Sequence, residues 1–376
     1  MVNGGPASAM AERAAAFAAR LGPGFETTIL YRATGKIRPV PALVGDLLRF
    51  RPAACYVLDM AAAGVLAAGV VKATTGSRVV IDTGDAIVDL GRVLGRGPVG
   101  IALTQALEEF GIRVADRVVV RGSHHRDLFA RRGVRAVFVP DGVDPGAFAR
   151  PPDPTVRRKL GLDGFITVGL VGSTVWVPAV GRCYGSELLD LLRLMKDEPV
   201  AGVLVGDGSG LPVLRQKCRE YGIEDRVRFV GRVPYSALPD YLGAMDVCLS
   251  TQSDDVIGRV RTTGKLPLYM AAGKFILASR VGEAARILPP EMLVDYHGRV
   301  DPDYPARLRD RLRALLAGGT DLRVWNEGPV LAREHFDYDR LTARVRTVLL
   351  DVTDGLPARG PVTPDTSGLR ARTTGR

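Results

Sequence analysis

Short apolar runs rich in Val and Ile alternate with amphipathic stretches along most of the 376 residues. Runs at 27–31, 54–58, 78–81, 117–120 and 136–139 read as one series of strands, and runs at 166–171, 202–205, 227–230, 247–249 and 275–278 as a second. Short and apolar at successive positions, they fit parallel strands covered on both faces. Helical patterns fill the gaps, among them 41–50, 187–195, 211–221 and 266–272. Strand and helix in regular alternation predict an α/β fold built on parallel sheets.

The alternation breaks where 140–146 read Pro-Asp-Gly-Val-Asp-Pro-Gly and 150–154 read Arg-Pro-Pro-Asp-Pro. Pro and Gly at that density continue neither a helix nor a central strand. Two domains are therefore expected, as the chain length also favours. The predicted layout is a Rossmann-like domain over 1–145, a second over 146–335, a C-terminal helix within 336–352 packing back on the first domain, and a disordered tail over 353–376.

Composition narrows the function. A hydrophobic share of 46% and a charged share of 24% describe an ordinary soluble protein. The longest apolar run, 60–71, is too short to span a bilayer and reads as a buried helix. No basic segment followed by an apolar core opens the chain, so no secretory leader is read and a cytoplasmic location is expected. Cys55, Cys183, Cys218 and Cys248 lie far apart without zinc-ligand or Cys-x-x-Cys spacing, which predicts free thiols in a reducing compartment. With four histidines in all, no metal or other cofactor is expected.

The net charge of +10 is spread over both halves, apart from Arg131, Arg132, Arg135 and the arginines of the tail. There is no basic stripe with aromatic platforms, so a nucleic-acid partner is not expected. Attraction to anionic substrates, or a peripheral contact with the anionic inner membrane face, is the reading that remains. Only seven of the 51 cationic residues are lysine, the usage of a GC-rich bacterial genome.

The most informative stretch is 202–279. It carries Gly-Val-Leu-Val-Gly-Asp-Gly-Ser-Gly at 202–210, Arg-Val-Arg-Phe-Val-Gly-Arg-Val-Pro at 226–234 and Met-Asp-Val-Cys-Leu-Ser at 245–250. Lys-Leu-Pro-Leu-Tyr-Met-Ala-Ala-Gly-Lys-Phe-Ile-Leu-Ala-Ser follows at 265–279. Upstream stand Val-Val-Val-Arg-Gly-Ser at 118–123 and Ala-Val-Phe-Val-Pro-Asp-Gly-Val-Asp-Pro-Gly-Ala-Phe at 136–148. In this order the motifs resemble the retaining glycosyltransferases of the GT-B fold, the family-four-like group 1 enzymes, over roughly 115–352. Relatives carry a Pro-Asn-Gly-Val-Asp turn where Asp141 replaces the Asn, a mild exchange because both residues tolerate turns. The resemblance implies two Rossmann-like domains facing across a cleft, the first on the acceptor side and the second binding a nucleotide sugar. Such proteins begin with a strand, a Gly-Gly loop and a helix. Here Gly4-Gly5 correspond to the loop and are counted with the donor site, while the preceding strand is missing. A truncated start, a sheet one strand short, and a plain disordered leader before an Ala-rich helix all remain open.

Arg261-Thr262-Thr263-Gly264-Lys265 precedes the helical pattern that opens at Leu266. Two cations, two hydroxyls and free N–H groups at a helix start suit a diphosphate, and Leu266 is included in that donor set. An ordinary Thr-capped helix is the plain alternative. Gly172, Ser173 and Thr174 end the strand at 166–171. Where relatives place an Arg and a Lys, this chain has Ser173 and Tyr184, and Arg182 is the candidate replacement cation; a surface arginine is the alternative. By resemblance, Arg232 and Val233 lie where the backbone reads the nucleobase. Relatives also carry Glu-x7-Glu; here Val260 and Leu268 occupy those positions, and Leu cannot accept a hydroxyl hydrogen bond. A gap in the alignment brings Asp254 or Asp255 near the first. On the acceptor side, Asp85 or Asp82 is expected to orient an acceptor hydroxyl or act as base, with turn formation as the alternative; Asp59 has a weaker claim. His124-His125 read as a surface helix cap.

The predicted function is metal-independent transfer of a sugar from a nucleoside diphosphate sugar to a hydroxyl acceptor of unknown class, with retention of configuration. The degenerate acidic pair keeps two alternatives open: a non-catalytic subunit bound to a catalytic partner, and a sugar-nucleotide epimerase on the same fold.

Overall fold

The computed structural model describes residues 1–6, 8–32 and 35–356; from 357 onward the predicted tail lies outside them. The first body opens with α1 (Ala9–Arg20) and α2 (Val40–Phe50), followed by β1 (Ala54–Leu58) and α3 (Ala62–Thr75). Then come β2 (Arg78–Thr83), α4 (Ile87–Val93), α5 (Pro98–Val114), β3 (Arg117–Val120), α6 (Ser123–Arg131) and β4 (Ala136–Phe138). The second body runs α7 (Thr155–Lys159), β5 (Ile166–Val171), α8 (Ser186–Leu194), β6 (Val200–Val205), α9 (Leu211–Tyr221) and β7 (Val227–Gly231). It continues α10 (Leu238–Gly243), β8 (Val247–Ser250), α11 (Val256–Arg259), α12 (Lys265–Ala271) and β9 (Phe275–Ser279). It closes with α13 (Ala284–Ile287), β10 (Leu293–Val294), α14 (Tyr304–Ala317) and α15 (Gly328–His335), before α16 (Tyr338–Thr353) returns to the first body.

Both sheets are parallel, in the orders β1-β2-β3-β4 and β10-β9-β8-β5-β6-β7. Every residue of β6 is buried, as expected for a strand with helices on both faces. The apolar run at 60–71 lies mostly in α3, whose Ala- and Val-rich faces are buried beside β1 and β2. Among the described residues no helix is long and apolar enough to cross a membrane.

One expected strand is reduced and one expected gap is partly filled. Residues 27–31 form no ladder; Tyr31 makes a single parallel bridge to Val2. The Val2 N–H donates to the Leu30 carbonyl at 2.9 Å and the Arg32 N–H to the Val2 carbonyl at 3.1 Å. On the other side the Leu58 N–H donates to the Met1 carbonyl at 2.9 Å. Met1 and Val2 thus stand between 30–32 and β1. Among the described residues, the run at 27–31 is paired only through this bridge.

The chain passes between the bodies near 139–144 and again near 336–338, and the crossings are bonded to each other. Val143 donates to the Phe336 carbonyl at 2.9 Å and Tyr338 to the Val143 carbonyl at 3.1 Å. In α16 the helical spacing of Leu341, Val345, Val348, Leu349 and Val352 makes one apolar stripe. It packs on Phe17 of α1, Val80 of β2, Val119 of β3 and Val139. Arg20 of α1 reaches Asp144 at 3.1 Å and Asp339 at 2.8 Å, holding both crossings from one helix.

Candidate functional site

Strand order reverses direction at Met1–Val2 in the first sheet and at β5 in the second. Loops leaving the carboxyl ends of strands diverge at such points, and ligand crevices form there in parallel sheets. Here the two reversals face each other across a cavity of about 360 Å³. The first body lines it with Asn3, Ser8, Asp59, Asp85, Arg121 and Asp141, and the second with Tyr184, Arg261, Thr262, Thr263 and Lys265.

The second wall is cationic. Lys265 opens α12 and its Nζ lies 3.5 Å from the centre of the Tyr184 ring, a cation–π contact. Burial holds this ammonium below its ordinary pKa. Behind it, a Cβ on Gly172 would lie 2.9 Å from the Lys265 Cε, and Gly172 has a φ of 139°. Glycine is thus required twice over at that position. Arg261 pairs with Asp85 of the opposite body. Burial works against the Arg261 charge, and Asp85 more than restores it. The Thr262 hydroxyl donates to the Arg121 carbonyl at 2.5 Å, while the buried Thr263 Oγ1 has no hydrogen-bond partner. Because α12 is only seven residues long, its dipole is modest, and the charged side chains carry the wall's preference for anions.

The first wall is organised by a residue that the sequence reading passed over. Arg121, at the end of β3, pairs with Asp59, reaches Asp82 at 3.1 Å and approaches Asp141 at 3.9 Å. Burial lowers its pKa to about 10, so it stays charged at neutral pH. Asp59 and Met60 hold left-handed backbone, with φ of 65° and 44°. Strain of that kind, about 1–3 kcal/mol per residue, persists where surrounding contacts enforce it, and here it turns Asp59 toward Arg121.

Asp82 is a correction. Its carboxylate is fully buried. Arg13 Nε donates to it at 3.0 Å, the Tyr56 hydroxyl at 2.9 Å and Arg121 Nε at 3.1 Å. No face is left for an acceptor, so Asp82 is an internal anchor and Asp85 alone of the pair reaches the cavity. Arg13 also donates to the carbonyls of Pro140 and Val139, which ties this network to the crossing.

Other candidates fall outside the cavity. Arg182 bonds Asp190 at 2.9 Å with Glu187 at 3.7 Å, so it is no substitute phosphate ligand. Leu266 is core, with no side-chain route to a donor. Of Gly172, Ser173 and Thr174, Gly172 stands against the Lys265 stem, Ser173 is exposed, and Thr174 is fully buried with its N–H donating to the Asp207 carbonyl at 3.0 Å. Gly4 and Gly5 sit between the lining residues Asn3 and Ser8, whose side chain caps α1. Arg232 and Val233 follow β7, away from the lining. Val260 and Leu268 are buried. Asp254 binds Arg259, and Asp255 caps α11 while pairing with Arg299, so neither replaces the expected acid. His125 is no surface cap: it is 5% exposed and its ring lies 4.8 Å from that of Phe129. Among the described residues, no three His, Cys, Asp or Glu gather as a metal site.

Two further contacts close the bodies on each other. The Ser123 N–H at the start of α6 donates to the Glu283 carboxylate at 2.6 Å, so one body caps a helix of the other. Beside it Gly122 lies so near the Val260 carbonyl that an added Cβ would collide with it. Gly122→Ala is therefore expected to prise the cleft open. Two hydrogen bonds across the cleft, at about 1 kcal/mol each, are weakened, so affinity for a ligand held by both walls should fall about tenfold. Small-angle scattering should show a larger radius of gyration, and an unchanged radius with unchanged affinity would refute the assignment.

Residues 168–318 match the family described as Glycosyl transferases group 1. The fold is that of two-domain GT-B glycosyltransferases. HepE of Anabaena, solved in complex with UDP, superposes with a TM-score of 0.63 at 16% identity, covering 83% of this chain and 82% of that one. Sucrose-phosphate synthase of Thermosynechococcus elongatus gives 0.65 at 17% identity over 88% and 82%. A UDP-forming α,α-trehalose-phosphate synthase of Burkholderia vietnamiensis gives 0.61 at 16% identity over 86% and 78%. No curated protein matches the chain.

Proposed function

We propose that this chain is a glycosyltransferase that binds a nucleoside diphosphate sugar in the cavity between its two bodies and passes the sugar to a hydroxyl acceptor. The observation that carries this reading is the convergence of Arg121, Arg261 and Lys265 with the unpartnered Thr263 hydroxyl on one crevice. Anions are stabilised where fixed cations meet in a partly dehydrated site, and the charge that grows on a departing diphosphate is the largest such demand in this chemistry. The diphosphate takes Arg261 from Asp85, and the released Asp85 turns to the acceptor hydroxyl. Side-chain cations supply the positive charge, so the reading assigns no role to a metal. Retention of configuration is proposed on the motif resemblance alone and is read from the anomeric signals of the product. A cytoplasmic setting is supported by four cysteines scattered without zinc-ligand or Cys-x-x-Cys spacing.

Since HepE is solved with UDP and with UDP-glucose, uridine diphosphate is the first ligand to try. A ligand at a thousand times its dissociation constant adds about 4 kcal/mol of apparent stability. Among UDP, GDP, ADP and dTDP, one should raise the melting temperature by several degrees, equally with and without EDTA. Failure of all four would end this reading.

One observation favours a second reading. Leu268 is buried in the core, and among the described residues no carboxylate of the second body lines the cavity. A non-catalytic subunit would bind the nucleotide without turning over its sugar donor, so assaying release of nucleoside diphosphate from the donor separates the two.

A further inference from the structure

Three helices of the first body, α2, α3 and α5, lie side by side over β1 and β2 and bury Leu43, Leu47, Val65 and Val71 against the sheet. A surface helix normally turns charged and polar side chains outward. This layer instead leaves exposed Ile37 before α2, Leu48 of α2, Val70 of α3, Leu94 after α4, and Val99 and Leu103 of α5. The pattern is plainest on α5. Val99 is 74% exposed and Leu103 67%, and with the exposed Ala102 and Ala106 they make one stripe at helical spacing, while Thr104 and Gly111 are buried. No charged residue falls between Pro98 and Leu107. An apolar face left to water marks a surface on which something docks.

The charges that border this face are chiefly of one sign. From Thr27 to Leu107 the acids are Asp46, Asp59, Asp82, Asp85 and Asp89. Asp59 and Asp85 line the cleft, and Asp82 is the buried anchor behind it. Asp46 pairs with Arg49 at 3.3 Å and Asp89 with Arg92 at 2.7 Å. Lys36 and Arg38 flank Ile37, and Arg96 stands between Leu94 and Val99. All three are exposed, and among the described residues none of them pairs with a carboxylate. The Arg96 guanidinium also donates to the Thr104 hydroxyl at 2.8 Å. Helices that link parallel strands begin at the carboxyl edge of the sheet. The entries to α2 and α5 therefore stand at the edge where the cleft opens.

We propose that this face docks on an anionic lipid bilayer. The apolar side chains enter the headgroup boundary, and Lys36, Arg38 and Arg96 meet the lipid phosphates. An apolar stripe bordered by cations lies in the plane of such an interface, and each cation near an anionic leaflet adds to the attraction. A second copy of the chain would bring the same cations and no opposing charge. Docked in this way, the first-body wall of the cleft lies beside the membrane surface. The inference does not depend on the transferase reading.

Sedimentation of the full chain with vesicles tests it. Phosphatidylcholine vesicles that contain phosphatidylglycerol should carry the protein down, and phosphatidylcholine alone should leave most of it in solution. Val99→Ser with Leu103→Ser, which removes apolar surface and leaves the charge unchanged, should weaken partition about tenfold or more. Lys36→Gln, Arg38→Gln and Arg96→Gln together should weaken it on the order of a hundredfold. Val330→Ser, at a position 59% exposed on the second body, should change nothing. Every variant should keep the wild-type melting temperature, because each position is exposed; Ile37→Ser with Leu94→Ser stands in for the apolar pair if that chain does not fold. Failure to sediment with the anionic vesicles, equal binding to both kinds, or indifference to the two sets of variants overturns the proposal. So does a dimer in analytical ultracentrifugation that Val99→Ser with Leu103→Ser dissociates, which would give the face to a second copy.

Discussion

Lys265→Ala is expected to lower turnover about a hundred- to a thousandfold, the range found when one fixed donor is removed from a site of developing negative charge. The chain folds around this one ammonium. Tyr184 holds it from one side at 3.5 Å from the ring centre, and the bare Cα of Gly172 leaves room for its stem. A cation placed that closely needs little rearrangement when charge builds on the leaving group. Lys265→Arg should fail to restore the rate, because a planar guanidinium does not fit the space between ring and backbone. Gly172→Ala should reproduce much of the loss without touching the charge, since the added methyl pushes the lysine stem aside. Steady-state rates with the matching nucleotide sugar decide it. A Lys265→Ala enzyme within tenfold of wild type would move the leaving-group role to Arg121 and Arg261.

The second large effect separates two aspartates that look alike in the sequence. Asp82→Asn should destabilise the first body by about 3–5 kcal/mol, the usual result of removing one charge from a buried ion-pair network. Arg13 is 1% exposed and Arg121 6%, so neither can turn to water when Asp82 is neutralised. Asp85→Asn removes a partner from a half-exposed pair and should change stability by no more than about 1 kcal/mol. Its effect should fall on catalysis instead, while donor affinity holds or rises because Arg261 no longer has a competing carboxylate. Urea unfolding of both variants, followed by donor titration of Asp85→Asn, checks this. Equal stability of the two would return Asp82 to the list of acceptor-side groups.

Much of the architecture was legible because its causes are local. Buried strands must be short and apolar, and nearly every run that met this condition became a strand within a residue or so. The run at 27–31 shows the limit: its residues suit a strand, but pairing is decided by the neighbouring chain, and among the described residues Tyr31 alone bridges, to Val2. The cationic wall was legible for a similar reason, since Arg261 to Lys265 are contiguous. The opposite wall was not. Arg121 finds Asp59 62 positions earlier and Asp82 39 positions earlier, so nothing near it in sequence marks it as central. Arg182 misled because the acids that bind it, Glu187 and Asp190, reach it only once α8 has formed. For His125, nothing in the sequence separates a ring facing solvent from a buried one; the turn of α6 against Phe129 decides it.

The paired crossings have a mechanical consequence. Two independent straps between rigid bodies would let them slide, twist and swing. Here Val143 is stitched to Phe336 and Tyr338, and Arg20 grips an acid on each strap, so the two act as a single door pin. A door on one pin has one way to move. The lip of the crevice then travels farthest and its floor, where Asp141 sits beside the pin, hardly moves. Any swing about that pin has to break the Ser123–Glu283 bond and part Gly122 from Val260, so those two contacts act as the catch on the door.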